Sequence, residues 1–352
     1  MPPLPPAPHL CRSLSLPLCL LVAGCCAAVR PSGASGTPAV AAGVISAPAF
    51  PGAGPITALS SDIPFVSLEG PFWSATGGYL LFSDVVEANG PGAGIYKFDP
   101  ATSRFSVFPY PAAATTTGLT STNGLAVDAA GAVLACERYN ARLVRVDAAG
   151  KLTVLADGWP PRDRNTTAPR PFNAPNDLVV RSDLNIYFTD SDWGARPGVA
   201  HAGMAVYRIS PTGRLERIME LEKPNGIALS PDEKTLYVGS DVQAKVWRVQ
   251  LDAQGAPAPG PPRLFIDGTR VPGGFKVPDG ICVDDTGNLY ITNNADDVKA
   301  ILVFDPTGQS RGRIAIPQAP SNCTFGGPDR RTMYVTTLHA VYQVRMSVPG
   351  LP

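Results

Sequence analysis

The stretch VPDGICVDDTGNLYITNN, residues 277–294, carries the reading of the whole chain. Pro278-Asp279-Gly280 is a turn-forming cluster, and Ile281 and Val283 alternate as the buried face of a short strand. The segment 284–288 (DDTGN) supplies a second turn, after which Leu289-Tyr290-Ile291 reads as a returning strand. A carboxylate at the mouth of the first strand has no evident local task. Its recurrence elsewhere in the chain is therefore informative.

Five relatives of the stretch occur: LEGPFWSATGGYLLFSD (68–84), TNGLAVDAAGAVLACER (122–138), PNDLVVRSDLNIYFTDS (175–191), PNGIALSPDEKTLYVGS (224–240) and SNCTFGGPDRRTMYVTT (321–337). Their leading residues are Glu69, Asn123, Asn176, Asn225, Asp279 and Asn322, at intervals of 54, 53, 49, 54 and 43. Strand-turn-strand units repeating near every fifty residues are the signature of a β-propeller. The expectation is an all-β, six-bladed β-propeller of four-stranded antiparallel blades over residues 61–347, with 348–352 as a tail. Closure is expected between DIPFVS (62–67) and HAVYQVRM (339–346), which would remove two exposed sheet edges. In such a fold the innermost strands line a central channel, so six side-chain oxygens converge on one small volume. Two are carboxylates, Glu69 and Asp279, and hard oxygen donors suit Ca²⁺, Mg²⁺ or Mn²⁺. The competing reading is that Asn or Asp before Gly only shapes a turn.

The bulk numbers agree with short strands and turns. Only 16% of the 352 residues are charged, while Gly and Pro number 35 and 38. Lys+Arg and Asp+Glu balance at 29 each, so no strong field draws nucleic acid or anionic lipid. Residues 1–25 read as a secretory signal ending in a lipobox, Val22-Ala23-Gly24-Cys25, with Cys25 the expected site of lipidation. An ordinary cleavable signal is the alternative. Residues 26–60 read as a flexible Ala/Pro/Gly linker. The chain is thus expected to be exported as a cell-envelope lipoprotein, or otherwise to be periplasmic or secreted, touching a membrane only through that anchor. Cys282 and Cys323 are either bridged or lone buried thiols, and their positions in the sequence leave both open.

As an ordered set, LEGPFW, FNAPNDLVV…IYFTDSDWG, PNGIALSPDEKTLYV, PDGICVDDTGNLYIT and CTFGGPDRRTMYVTT resemble the gluconolactonase/senescence-marker-protein/luciferin-regenerating-enzyme-like family of propeller lactonases. The resemblance implies hydrolysis of a lactone, a sugar lactone among the candidates, to the hydroxy acid. It also implies one divalent cation, usually Ca²⁺ with Zn²⁺, Mg²⁺ or Mn²⁺ as alternatives, held by Glu69, Asn176, Asn225 and Asp279. Asp279 is then also the catalytic base. The family's substrate-gripping arginine has no match at Ala174 or Pro175, so Arg170 and Asn123 are the candidate substrate contacts, with Asn322 lining the same channel.

Rival chemistries find little support. There is no Gly-x-Ser-x-Gly, and no Glu follows Glu233 to serve as a late catalytic acid. The serious alternative is a non-catalytic, metal-stabilised propeller acting as a tethered binding or scaffold module.

Overall fold

Each of the six repeats folds into a four-stranded antiparallel sheet, and the last sheet is completed by the first strand among the described residues. The computed structural model describes residues 49–85, 94–108, 119, 121–160 and 169–351. Strand β1 is Ala53–Ala58. Blade 1 comprises β2 (Leu68–Ser74), β3 (Tyr79–Asp84), β4 (Gly94–Asp99) and β5 (Arg104–Val107). Blade 2 comprises β6 (Thr122–Val127), β7 (Val133–Glu137), β8 (Arg142–Val146) and β9 (Leu152–Ala156). A two-stranded ribbon follows, β10 (Gly158–Trp159) and β11 (Arg170–Pro171). Blade 3 holds β12 (Ala174–Val180), β13 (Ile186–Ser191), β14 (Ala205–Ile209) and β15 (Leu215–Glu220). Blade 4 holds β16 (Pro224–Leu229), β17 (Thr235–Ser240), β18 (Lys245–Gln250) and β19 (Arg263–Asp267). Blade 5 is β20 (Pro278–Val283), β21 (Leu289–Asn293), β22 (Ala300–Phe304) and β23 (Ser310–Ala315). Blade 6 is β24 (Pro320–Gly326), β25 (Thr332–Thr337), β26 (Val341–Met346) and β1.

The closing strand corrects the sequence reading. Ile56, Thr57 and Ala58 pair with Val344, Gln343 and Tyr342, so the edge of blade 6 is covered by 53–58 and not by 62–67. The propeller therefore begins inside the span read as linker. The segment 62–67 misleads because its apolar residue is buried for another reason. Phe65 packs edge-on against Phe82, Tyr96 and Phe105 as a loop anchor in blade 1, without pairing as a strand. The true closing strand carries Pro55 and is mostly exposed, a composition that an edge strand tolerates and that hides it from pattern reading.

The core is divided among the blade interfaces. One apolar cluster joins blades 1 and 2 around Leu81, Ile95 and Leu125, and another joins blades 5 and 6 around Tyr290, Ile301 and Phe325. The cluster of Phe82, Tyr334 and Val341 joins blade 6 back to blade 1, which closes the ring. Cys282 and Cys323, on the innermost strands of blades 5 and 6, are joined by a disulfide, with Cα atoms 5.9 Å apart. This settles the alternative that the sequence leaves open. Among the described residues Cys136 is the free cysteine, and it is buried. The span read as a signal sequence, Cys25 and most of the span read as linker lie outside the described residues.

Candidate functional site

A propeller blade runs up and down, so the starts of its innermost strand and the ends of its second strand share one face, here called the mouth. Every innermost strand slips register at its leading residue: between Glu69 and Phe72, Thr122 and Leu125, Pro175 and Leu178, Pro224 and Ile227, Pro278 and Ile281, and Pro320 and Asn322. A bulge re-aims the side chain it carries. The slips recur at the start of every innermost strand, and in blade 6 Asn322 falls in the register of Gly280, one residue later than Asp279 does in blade 5.

The glycine after the leading residue allows the strands to approach. A Cβ on Gly124 would lie 2.7 Å from Asp177 Cα and 2.9 Å from Asn176 O, and one on Gly226 would lie 2.8 Å from Ile281 N. A side chain on Gly124 or Gly226 would push the neighbouring blades apart at the axis. Buried hydroxyls then fasten the blades together. Ser83 Oγ donates to the carbonyl of Asn123 at 2.7 Å, and Thr189 Oγ1 donates to that of Asn225 at 2.9 Å. The approach to each innermost strand is anchored in turn by the end of the second strand. Asp84 accepts from Ser67 N at 2.8 Å, Asp190 accepts from Ala174 N at 2.8 Å, and Asn293 accepts from Lys276 N at 2.7 Å.

Asn123, Asn176, Asn225, Asp279 and Asn322 are all buried, and Glu69 is partly so. The structure brings Glu69, Asn225 and Asp279 into one electrostatic group. Burial, reinforced by the nearby charges of Asp279 and Asp177, pushes the Glu69 carboxyl well above the ordinary range, and Arg138 pulls it back only in part. Burial likewise raises Asp279 to about 7, against hydrogen bonds from Asn294 and Asn225. Asn294 Nδ2 donates to Asp279 Oδ2 at 2.8 Å. Two carboxylates held among amides with raised pKa values describe a site short of positive charge. That donor set fits a hard divalent cation. Among the described residues no three His, Cys, Asp or Glu side chains form a metal cluster by themselves.

Three contributors escape a reading based on leading residues alone. Asp177 stands where the neighbouring repeats have Gly, and burial lifts it to about 6. Asn322 Nδ2 donates to Asp177 Oδ2 at 3.3 Å. Blades 3 and 6 are opposite in a six-bladed ring, so this bond crosses the axis and floors the polar cup. Beneath it lies a cavity of about 500 Å³, walled by residues such as Leu125, Leu178, Ile227 and Ile281. Asn294 and Arg138 each directly follow the second strand of a blade, at the mouth. That position, in phase across LACER and YITNN, is a signal the sequence did carry.

Arg170 is placed elsewhere. It lies on β11, exposed, and lines a separate cavity of about 920 Å³ with Arg217, Met219 and Trp247, whose walls contain none of the six leading residues. On the β10–β11 ribbon it pairs with Trp159, whose ring packs on Tyr207 of blade 3.

The described geometry has known counterparts. The family model described as SMP-30/Gluconolactonase/LRE-like region matches residues 68–339. The chain belongs to this family. A gluconolactonase of Zymomonas mobilis subsp. mobilis is 31% identical over 315 residues, covering 84% of this chain and 82% of that protein. Among solved structures, a gluconolactonase from Xanthomonas campestris superposes with a TM-score of 0.67 at 28% identity, over 85% of this chain and 91% of that one. The calcium-binding protein regucalcin from Agrobacterium tumefaciens, at 22% identity and a TM-score of 0.66 over 87% and 97% of the two chains, shares the fold. The family match spans all six leading residues and ends before the last strand of blade 6.

Proposed function

We propose that this protein is a divalent-metal-dependent lactone hydrolase, with Glu69, Asn176, Asn225 and Asp279 as metal ligands and Asp279 as base. Membership of the family and the gluconolactonase relatives support the reaction class. The observation that carries the site is the pairing of Asp279 with Asn294 and Asn225 beside Glu69, with both acids raised by burial. Four oxygen donors, two of them anionic, favour Ca²⁺ over softer ions. A cation bound there supplies Lewis-acid polarisation of the lactone carbonyl.

The remaining chemistry belongs to the chain. Asn294 donates to Oδ2 of Asp279 and so orients the carboxylate that would receive the proton of the attacking water. As the water oxygen bonds to the carbonyl carbon, its proton passes to Asp279. The ring C–O bond then breaks, and the departing ring oxygen takes that proton to give the hydroxy acid. A carboxylate oriented by Asn294 can take that proton and return it. Asn123 and Asn322 complete the polar wall against which the lactone lies. Asp279→Asn is expected to lower turnover by about a thousandfold or more while the protein stays folded. Turnover within threefold of the parent, followed by proton release at saturating Ca²⁺, would refute the assignment.

We further infer export, which the Cys282–Cys323 disulfide supports because such bonds persist in oxidising compartments. Cys25 is the proposed lipid anchor. Loss of membrane association in Cys25→Ser cells would establish it, and unchanged fractionation would remove it.

A further inference from the structure

We propose that the Cys282–Cys323 disulfide is a positioning device for the axial site: it sets the spacing of the strands that carry Asp279 and Asn322, so the chain binds its cation tightly only once oxidised. The inference rests on the metal-site reading above and adds a redox condition to it.

Strands β20 and β24 belong to different sheets, so no ladder of backbone hydrogen bonds fixes the gap between them. A hydroxyl spans it instead. Thr292 Oγ1 lies 3.0 Å from Gly280 O and 2.8 Å from Ser321 O, and its single proton is shared between the two. The hydroxyls of Ser83 and Thr189 play the same part between blades 1 and 2 and between blades 3 and 4. Among the described residues, the junction of blades 5 and 6 alone adds a covalent bond.

The bond is placed where the site is assembled. Cys282 is the third residue after Asp279, and Cys323 directly follows Asn322. The two strands touch there without slack, since a Cβ on Gly280 would lie 2.1 Å from Asn322 Cγ and 2.6 Å from its Cα. Asn322 therefore rests on the neighbour of Asp279. Its amide is oriented by the bridged residue, because Oδ1 accepts from Cys323 N at 2.8 Å. Nδ2 is then the end that donates across the axis to Asp177 Oδ2. A link at Cys323 fixes the backbone that orients Asn322, and a link at Cys282 fixes the strand that carries Asp279.

Closing the bridge takes two protons and two electrons from the two thiols. A small disulfide accepts them by thiol–disulfide exchange and leaves as two thiols. Both cysteines line the axial cavity of about 500 Å³ and Cys282 is partly exposed, so such a reagent reaches the bridge without opening a blade. With the bridge open, the gap is held by one shared proton and by packing. The strand of Asp279 then gains freedom where its carboxylate must meet the other donors. Groups that hold metal ligands at one remove typically govern affinity by about ten- to hundredfold. An exported chain would thus complete its site on reaching an oxidising compartment.

The test measures Ca²⁺ affinity by calorimetry. The samples are the oxidised parent, the parent reduced with dithiothreitol, the same protein reoxidised with glutathione disulfide, and Cys282→Ser/Cys323→Ser. Leu143→Ala is the comparison, because Leu143 is fully buried on β8, the third strand of blade 2, and its truncation weakens the fold away from the axis. The proposal predicts a Kd weaker by about ten- to hundredfold in the reduced parent and the pair variant, with recovery on reoxidation. Leu143→Ala should stay within about threefold of the parent. Circular dichroism reports the fold of each sample. An unchanged Kd in the reduced parent would show a bridge that serves stability alone, and an equal loss in Leu143→Ala would show general loosening; either overturns the proposal. So does a reduced parent that loses its β-sheet signal, since the bridge then holds the whole fold and not the site. An oxidised parent that binds no Ca²⁺ would instead bring down the metal-site reading, and this inference with it.

Discussion

Gly124→Ala should damage the site without removing a single polar atom from it. An added Cβ would stand 2.7 Å from Asp177 Cα and 2.9 Å from Asn176 O, where carbon contacts normally settle at about 3.5–4.0 Å. Asp177 Oδ1 would stand 2.8 Å away as well, and even if that side chain turned, the two backbone atoms cannot swing aside. Blades 2 and 3 must part by roughly 1 Å at the axis, which by the usual cost of overpacking removes about 2–3 kcal/mol of stability. The same displacement carries Asn176 away from the other oxygen donors, and a shift of that size costs roughly a hundredfold in turnover. Gly239→Ala is the control. It lies on β17, buried, but its added Cβ would meet nothing closer than 3.7 Å. It should change stability by less than about 1 kcal/mol and leave turnover near the parent. Urea unfolding and lactone turnover of the two variants, side by side, decide the matter. Equal stability and equal activity would mean that the axial strands are not packed as described, and that glycine is there for the turn alone.

Two further outcomes follow from buried groups. Asp190 and Asp279 are raised to about 7 and Asp177 to about 6, in each case first by burial, against an ordinary value of 3.8. The folded metal-free protein therefore holds protons that the unfolded chain has released between about pH 4 and pH 7, so its stability falls as pH rises through that window and levels above it. Urea unfolding in chelator at pH 5, 6, 7 and 8 should show this decline, and added Ca²⁺ should flatten it; a stability that climbs from pH 5 to pH 8 in chelator would contradict the burial of these acids. Replacing Cys282 and Cys323 together by Ser opens a 41-residue loop, which the chain-entropy argument values at about 4 kcal/mol. Unfolding of the pair variant at unchanged denaturant concentration would show that the bridge contributes little to the fold.

The blade count and the axial residues were legible because two independent periodicities coincide. The alternation of Ile281 with Val283, and of Leu125 with Val127, marks each innermost strand, and the polar-Gly pair marks its start. What sequence could not provide is pairing that leaves no pattern. β1 has one outward edge and mostly exposed side chains, so nothing in its composition distinguishes it from linker. Phe65 drew the closure to the wrong segment because burial in a loop and burial in a strand look alike in a short apolar run. The site residues divide along the same line. Glu69, Asn225 and Asp279 announce themselves by phase, whereas Asp177 becomes visible only once the opposition of blades 3 and 6 brings it against Asn322. Arg170 was read as a substrate contact from the basic loop before FNAPND, and in the structure it lies on the β10–β11 ribbon and lines a second cavity. Arg138 lies some thirty residues earlier and arrives at the mouth because its strand ends there.

The measurement that tests the central claim most directly is proton release from an aldonolactone by the purified protein, after exhaustive chelation and then during stepwise return of Ca²⁺. The account predicts no turnover above background in the chelated protein, restoration that saturates at one equivalent, and no restoration in Asp279→Asn. Full activity in the chelated parent would contradict it.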